Sequence, residues 1–145
     1  MTDSTPPRVL VVDDENLIRI WLEAHVGETG YSMDLAANAA EAREFFETRP
    51  PDAVLLDLRL PDGNGMDLLR DFLEIDPDLV VIVLSAHGDI ATAVEAVKLG
   101  AHHFLEKPPK LEGIQITLAR GLENRTLRRV ITGLRRQSGW QFADI

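Results

Sequence analysis

Five short apolar segments alternate with segments of helical periodicity in this chain, and few folds accommodate that alternation. The third segment, residues 53–56, is apolar at every position and precedes Asp57, as expected for a strand buried on both faces. Alternating strands and helices form parallel sheets with right-handed crossovers and helices on both faces. The sequence therefore predicts an α/β domain. The predicted strands are residues 8–12, 32–36, 53–56, 79–84 and 101–105, and a last helix is predicted over residues 111–137.

Polar or charged side chains occur at the ends of four of these five strands. They are Asp13 and Asp14 at the first strand, Asp57 at the third, Ser85 at the fourth and Lys107 at the fifth. A single Asp at a strand end is explained equally well by a turn or a helix cap, but agreement among four ends favours a functional site. Because the carboxyl ends of parallel strands share one edge of the sheet, we expect these side chains to lie together.

This combination of carboxylate, hydroxyl and ammonium groups indicates metal-assisted phosphoryl chemistry. Crowded carboxylates repel one another, and a divalent cation relieves that repulsion. The predicted ligands are hard oxygens without His or Cys, which favours Mg²⁺. Asp57 is then predicted to attack phosphorus as a carboxylate nucleophile. Lys107 would neutralise charge on the transferred oxygens, and Ser85 would donate a hydrogen bond to them.

Composition argues against several other functions. The chain of 145 residues contains no cysteine, which excludes disulfides and thiolate chemistry. Its net charge of −9 argues against direct nucleic-acid binding by this segment, although Arg residues crowd the C-terminal quarter. Residues 1–7 are predicted to be a disordered lead-in without signal-peptide features, and no apolar run reaches membrane-spanning length. We therefore expect a cytoplasmic domain that does not contact membranes.

The strand-end motifs resemble those of response-regulator receiver domains of two-component signalling. The resemblance covers residues 8–120 and rests on Asp13-Asp14, on the loop from Asp57 through Pro61 to Gly65, on Ser85-Ala86 and on Lys107-Pro108. It implies a flavodoxin-like (CheY-like) three-layer α/β/α fold whose five-stranded parallel sheet has the order 2-1-3-4-5. It also implies that Asp57 accepts a phosphoryl group from a sensor histidine kinase. The domain would then be a signalling phosphoacceptor and not an enzyme.

The resemblance also implies a ligand set for the metal. Asp14, Asp57 and the backbone carbonyl of Arg59 would bind Mg²⁺ directly, and Asp13 would act mostly through water. The bond between Lys107 and Pro108 would be a cis peptide that directs the lysine inward.

Two further roles follow from the same resemblance. Phe104 matches the switch aromatic of receivers, which would fill the space that Ser85 vacates when it moves toward the phosphoryl group. Arg59 and His87 occupy positions that modulate hydrolysis of the acyl phosphate in receivers. We hypothesise that these bulky groups restrict the attacking water and prolong the phosphorylated state. An unchanged dephosphorylation rate in an Arg59→Ala, His87→Ala double mutant would exclude that effect.

Two rival functions fit the residues less well. Phosphatases of the haloacid-dehalogenase type place a second Asp two residues after the nucleophile, where this chain has Arg59, and their acid pair comes late in the chain. A flavodoxin-like binding module needs a phosphate-cradling loop after the first strand, rich in Gly, Ser and Thr. The segment Asp13-Asp14-Glu15 would repel a phosphate there.

The C-terminal part resembles one subclass of receivers, those of sigma-54-dependent (NtrC-class) transcription activators. Residues 85–90 and 104–108 carry this resemblance, and residues 142–145 resemble the start of their ATPase domain. The expected organisation is a receiver over residues 8–120, a helical linker over 121–138 and the start of a truncated output domain over 139–145. A stand-alone receiver and a different output domain stay open. We expect a homodimer through helix 4, strand 5, helix 5 and the linker helix, although the heptad-like spacing of Leu127, Val130, Ile131 and Leu134 is too short to establish a coiled coil.

Overall fold

The computed structural model describes residues 5–86 and 89–138, with side chains described through residue 136. Five strands form one parallel sheet: Arg8–Val12 (β1), Ser32–Ala36 (β2), Ala53–Asp57 (β3), Val80–Ser85 (β6) and His103–Glu106 (β7). Two short strands, Arg59–Leu60 (β4) and Gly63–Asn64 (β5), form an antiparallel hairpin after β3. The helices are Asn16–Gly27 (α1), Ala39–Thr48 (α2), Gly65–Ile75 (α3), Ile90–Leu99 (α4) and Leu111–Ser138 (α5).

The order of the five-stranded sheet is β2-β1-β3-β6-β7. Leaving the small hairpin aside, this is the predicted order 2-1-3-4-5, so the flavodoxin-like prediction is confirmed. Every residue of β3 and β6 is buried, because helices cover both faces of these central strands. The last strand begins at His103 and not at residue 101, since Ala101 still donates a hydrogen bond to the carbonyl of Ala96 beside the end of α4.

Two apolar clusters, one on each face of the sheet, make the domain three-layered. On one face, side chains of α2, α3 and α4 pack together, and the rings of Phe46 and Phe72 stack with centroids 4.2 Å apart. On the other face, α1 and α5 bury Leu22 and Leu118 against the sheet. The helices therefore cover both faces of the sheet and leave the edge at the carboxyl ends of the strands open.

The start of α2 shows how loop side chains hold the helices. Asn38 accepts a hydrogen bond from the amide of Glu41 at 2.8 Å, and Glu41 reaches back to the amide of Ala37 at 2.7 Å. The carboxylate of Asp62, in the β4–β5 turn, also accepts hydrogen bonds from the amides of Ala39 and Ala40. This helix start is thereby tied to the hairpin that follows Asp57.

The long helix α5 is anchored to the sheet and then continues beyond it. Arg125 is only 6% exposed and forms ion pairs with Asp52 and Asp76. Farther along, four apolar side chains are about half exposed: Leu127, Val130, Ile131 and Leu134. None of the described helices combines the length and apolar content that a membrane span requires.

The predicted termini extend past the described part of the chain. Residues 5–7 have no regular secondary structure, and the carbonyl of Pro7 accepts a hydrogen bond from the amide of Ser32. Residues 1–4 of the predicted lead-in and the predicted output segment 139–145 lie outside the described residues.

Candidate functional site

The polar strand ends converge on one edge of the sheet. One carboxylate oxygen from each of Asp13, Asp14 and Asp57 lies within 4.8 Å of the other two. Beside them a cavity of about 270 Å³ opens at the ends of β3 and β6. Its lining comprises Asp14, Glu15, Asp57, Leu58, Arg59, Leu84, Ser85, Ala86, Asp89 and Lys107. The structure thus brings the predicted acidic, hydroxyl and ammonium groups together.

Asp57 is the last residue of β3 and is 9% exposed. Its Oδ1 accepts a hydrogen bond from the backbone amide of Arg59 at 3.0 Å, and its Oδ2 accepts one from Nζ of Lys107 at 2.9 Å. These two bonds fix the plane of the carboxylate. Because β3 is buried along its whole length, this side chain has little freedom to move away from the cavity.

Lys107 follows β7 and stands between two of the acids. Its Nζ lies 2.7 Å from Oδ2 of Asp13 as well as 2.9 Å from Oδ2 of Asp57. The Lys107–Pro108 bond is cis, and the backbone amide of Lys107 donates to the carbonyl of Ser85 at 2.8 Å. Burial alone would lower the pKa of Lys107, but its close contacts with the negative carboxylates of Asp13 and Asp57 outweigh burial and raise that pKa. The ammonium form is therefore stabilised.

Asp13 is fully buried, whereas its neighbour Asp14 is exposed. Oδ1 of Asp13 accepts a hydrogen bond from the amide of Glu15 at 2.9 Å, and its backbone carbonyl accepts one from Nη1 of Arg19 at 2.6 Å. Burial raises the pKa of Asp13, and the close contact with Lys107 and the hydrogen bond from the Glu15 amide oppose that shift only in part. Burying this carboxylate is costly, so a further positive charge nearby would stabilise it.

These oxygens fit a hard divalent cation. Apart from the ion pair with Lys107, Oδ2 of Asp13 has no partner in hydrogen-bond geometry among residues 5–86 and 89–138. Asp14 and Asp57 add further carboxylate oxygens within 4.8 Å. An oxygen-only set of this kind, with room for water, is the coordination that Mg²⁺ favours.

Of the predicted switch and modulating residues, Ser85 lines the cavity and Phe104 does not. Ser85 ends β6, is 4% exposed, and its hydroxyl donates to the carbonyl of Ala86 at 3.2 Å. Phe104 in β7 is half-buried and packs against the apolar cluster of α2, α3 and α4, so it is not among the residues that line the cavity. His87 lies outside the described residues.

One contact at the cavity was not expected from the sequence. Nη2 of Arg59 lies 3.4 Å from Oδ2 of Asp89. Asp89 occupies the N-cap position of α4, where the sequence favours a helix cap, but its side chain makes no capping hydrogen bond. The signal available in the sequence was positional: Arg59 and Asp89 each follow a strand that ends at the same edge of the sheet.

A family model described as the response regulator receiver domain matches residues 9–119. The chain belongs to this family. Response regulator protein PilR from Pseudomonas aeruginosa is 39% identical over 118 residues, which are 81% of this chain and 26% of PilR. Chemotaxis protein CheY from Thermotoga maritima is 39% identical over 102 residues, which are 70% of this chain and 85% of CheY. The chain thus spans about a quarter of one relative and most of the other.

Solved structures agree with this family. The crystal structure of NtrX from Brucella abortus in complex with ADP superposes with a TM-score of 0.86 at 35% identity. The superposition covers 90% of this chain and 30% of that one. The described receiver therefore corresponds to one part of a longer protein in that relative.

Proposed function

We propose that this receiver is a phosphoacceptor in which Asp57 takes a phosphoryl group from a sensor histidine kinase with the help of Mg²⁺. The observation that carries the proposal is the position of Lys107, whose ammonium group lies within 2.9 Å of oxygens from both Asp13 and Asp57. An ammonium group held beside a buried carboxylate at the mouth of a cavity suits the transfer of an anionic group.

The chain's own residues supply the groups that the transfer needs. Asp14, Asp57 and the backbone carbonyl of Arg59 would hold Mg²⁺, with Asp13 acting through water. When bound, the cation would neutralise charge that develops on the phosphoryl oxygens. An oxygen of Asp57 would form the new P–O bond while the P–N bond to the kinase histidine breaks and the ring nitrogen keeps the electron pair.

Two residues would then bind the transferred group. Lys107, already charged and held in place, would face its oxygens. The hydroxyl of Ser85 would turn from the carbonyl of Ala86 and donate to the phosphoryl group. Arg59 stands two residues after Asp57, where a hydrolase would need an acid, so the acyl phosphate would persist as a signal and not turn over as an enzyme intermediate.

The proposed output is control of a dimer and of a transcription domain that follows the linker helix. Phe104 would move into the space that Ser85 leaves, and the surface of α4, β7 and α5 would change with it. Exposed apolar side chains on α4 and α5 support a contact with a second copy: Ile90, Val94, Val97, Leu99, Leu127, Val130, Ile131 and Leu134. The resemblance to sigma-54-dependent activators favours that output class, and a stand-alone receiver is the alternative.

Phosphorylation with acetyl phosphate and Mg²⁺, followed by mass spectrometry, tests the proposal. The wild-type chain is expected to gain one phosphoryl group, and Asp57→Asn or chelation of the metal is expected to prevent it. Asp71→Asn is the matched control, since Asp71 is half-exposed and pairs with Arg43 on the helix surface. Uptake by Asp57→Asn, or steady release of phosphate from p-nitrophenyl phosphate, would refute the assignment.

The dimer is tested on the same protein. Sedimentation with and without beryllofluoride, a phosphoryl mimic, is expected to give different masses in the two states. Equal mass and an unchanged contact surface in both states would contradict a phosphorylation-controlled dimer.

A further inference from the structure

The start of α4 differs from those of the two preceding helices. Asn38 at the start of α2 accepts a hydrogen bond from the amide of Glu41, and Asn64 at the start of α3 accepts one from the amide of Met66. Asp89 stands at the same position of α4, and Asp is among the preferred N-cap residues, yet its side chain caps nothing. Its first turn also contains no acidic residue. The backbone of Asp89, at φ −98° and ψ 44°, also lies outside the extended region that both capping Asn residues adopt, so a cap at α4 requires this backbone to change as well.

The carboxylate of Asp89 is bound by Arg59 instead. Nη2 of Arg59 lies 3.4 Å from Oδ2 of Asp89, while the backbone amide of Arg59 donates to Oδ1 of Asp57. Arg59 is thus joined to the proposed phosphoacceptor through its backbone and to α4 through its side chain. All three residues line the same cavity of about 270 Å³.

This ion pair is poorly protected from competition. The side chain of Arg59 is 78% exposed and that of Asp89 is 23% exposed, so water screens the attraction between them. A phosphoryl group on Asp57 would carry a charge of about −1.5 to −2 and three strong acceptor oxygens. Arginine binds such groups through two parallel hydrogen bonds, which are stronger than one long contact to a carboxylate.

We propose that Arg59 is shared between Asp89 and the phosphoryl group on Asp57, and that Asp89, once released, adopts the extended backbone of an N-cap residue and caps α4. Asp89 is then a positioning residue: it holds Arg59 at the cavity mouth before phosphorylation and stabilises the first turn of α4 afterwards. The proposal rests on the proposed phosphorylation of Asp57. It accounts for an N-cap residue that is present but unused.

Hydrogen exchange at the first turn of α4 measures the cap directly. A capping carboxylate accepts a hydrogen bond from the second or the third helical amide, which belong to Ala91 and Thr92. In the wild-type chain, beryllofluoride with Mg²⁺ is expected to raise their protection about fivefold, the factor that corresponds to a typical cap contribution of about 1 kcal/mol.

Three substitutions separate this exchange of partners from a general stiffening of the site. Arg59→Ala and Asp89→Asn each remove the ion pair but keep a capping side chain, so the protection is expected to be raised already without beryllofluoride. Asp89→Ala removes the capping side chain, so adding beryllofluoride is expected to give no gain in the protection of these amides. Arg70→Ala, in the neighbouring groove with its own partner Asp67, is expected to behave as wild type.

The outcomes distinguish this inference from the proposed function. If the wild-type chain gains no phosphoryl group in the mass measurement, the proposed function itself fails. If it is phosphorylated, but Arg59→Ala and Asp89→Asn protect the α4 amides no better than wild type before phosphorylation, the sharing of Arg59 is refuted. If beryllofluoride raises the protection of the α4 amides in Asp89→Ala as much as in wild type, the capping step is refuted.

Discussion

Gly65→Ala tests whether the loop after Asp57 has room for any side chain. A Cβ at this position would lie 2.6 Å from Cα of Leu58 and 2.7 Å from the carbonyl oxygen of Asp57. Ordinary contacts begin at 3.4 Å, so the backbone must separate by about 0.8 Å (3.4 − 2.6). Both contacted atoms belong to the main chain and cannot rotate away. We expect a loss of about 1–3 kcal/mol in the free energy of unfolding.

The same displacement would act on the site, because the peptide that moves follows Asp57 directly. A misplacement of about 1 Å can slow a positioned reaction about 100-fold, so phosphorylation of Gly65→Ala by acetyl phosphate is expected to slow by about that factor. Phosphorylation rate by mass spectrometry and stability by urea unfolding are the two readouts. Gly63→Ala is the matched control in the same loop, since its Cβ would meet only Cβ of Ala39 at 4.0 Å. If Gly65→Ala is phosphorylated no more slowly than Gly63→Ala, the close approach does not position Asp57.

Two further predictions concern Arg125 and His102, which lie outside the cluster around Asp57. Arg125→Met should lower the free energy of unfolding by about 3 kcal/mol, the low end for breaking a buried ion pair, because the partners Asp52 and Asp76 keep 33% and 22% exposure. Urea unfolding checks this, and an equal loss in Arg129→Met, whose side chain is 56% exposed, would contradict it. The pKa of His102 lies below its usual 6.5. Burial is the largest cause, and the charges of His103 and Arg128 add to it. The unfolded chain therefore binds this proton more readily, so stability should fall as pH drops below about 6.5, and less steeply in His102→Gln; equal pH profiles would exclude this contribution.

The convergence of the strand ends could be predicted because it depends on topology alone. Once the alternation of strands and helices fixes a parallel sheet, the ends of β1, β3, β6 and β7 must share an edge whatever the side chains do. The positions of Asp57 and Lys107 at that edge followed from the sequence for this reason. Their distances did not, because the 2.9 Å contact between them depends on the direction of the chain after β7.

Pairings between loops could not be predicted in the same way. The bond between Arg59 and Asp89 joins residues 30 positions apart, and Arg125 pairs with Asp52 across 73 positions. Helical or strand periodicity carries no information about such pairs. An Asp before a helix favours a cap, and only the folded chain brings a competing guanidinium to it. Local sequence therefore cannot decide which of the two partners Asp89 takes.

The hairpin of β4 and β5 gives the loop after Asp57 direct contacts with three helices. Asp62 binds the first amides of α2, Gly65 begins α3, and Arg59 reaches the start of α4. All three helices cover the same face of the sheet, whereas α1 and α5 cover the other. A charge added to Asp57 would act on the α2–α3–α4 face through these contacts. It would act on α5 through Lys107 and the strand β7 that precedes it, so a substitution in the hairpin and one in β7 should affect separate parts of the response.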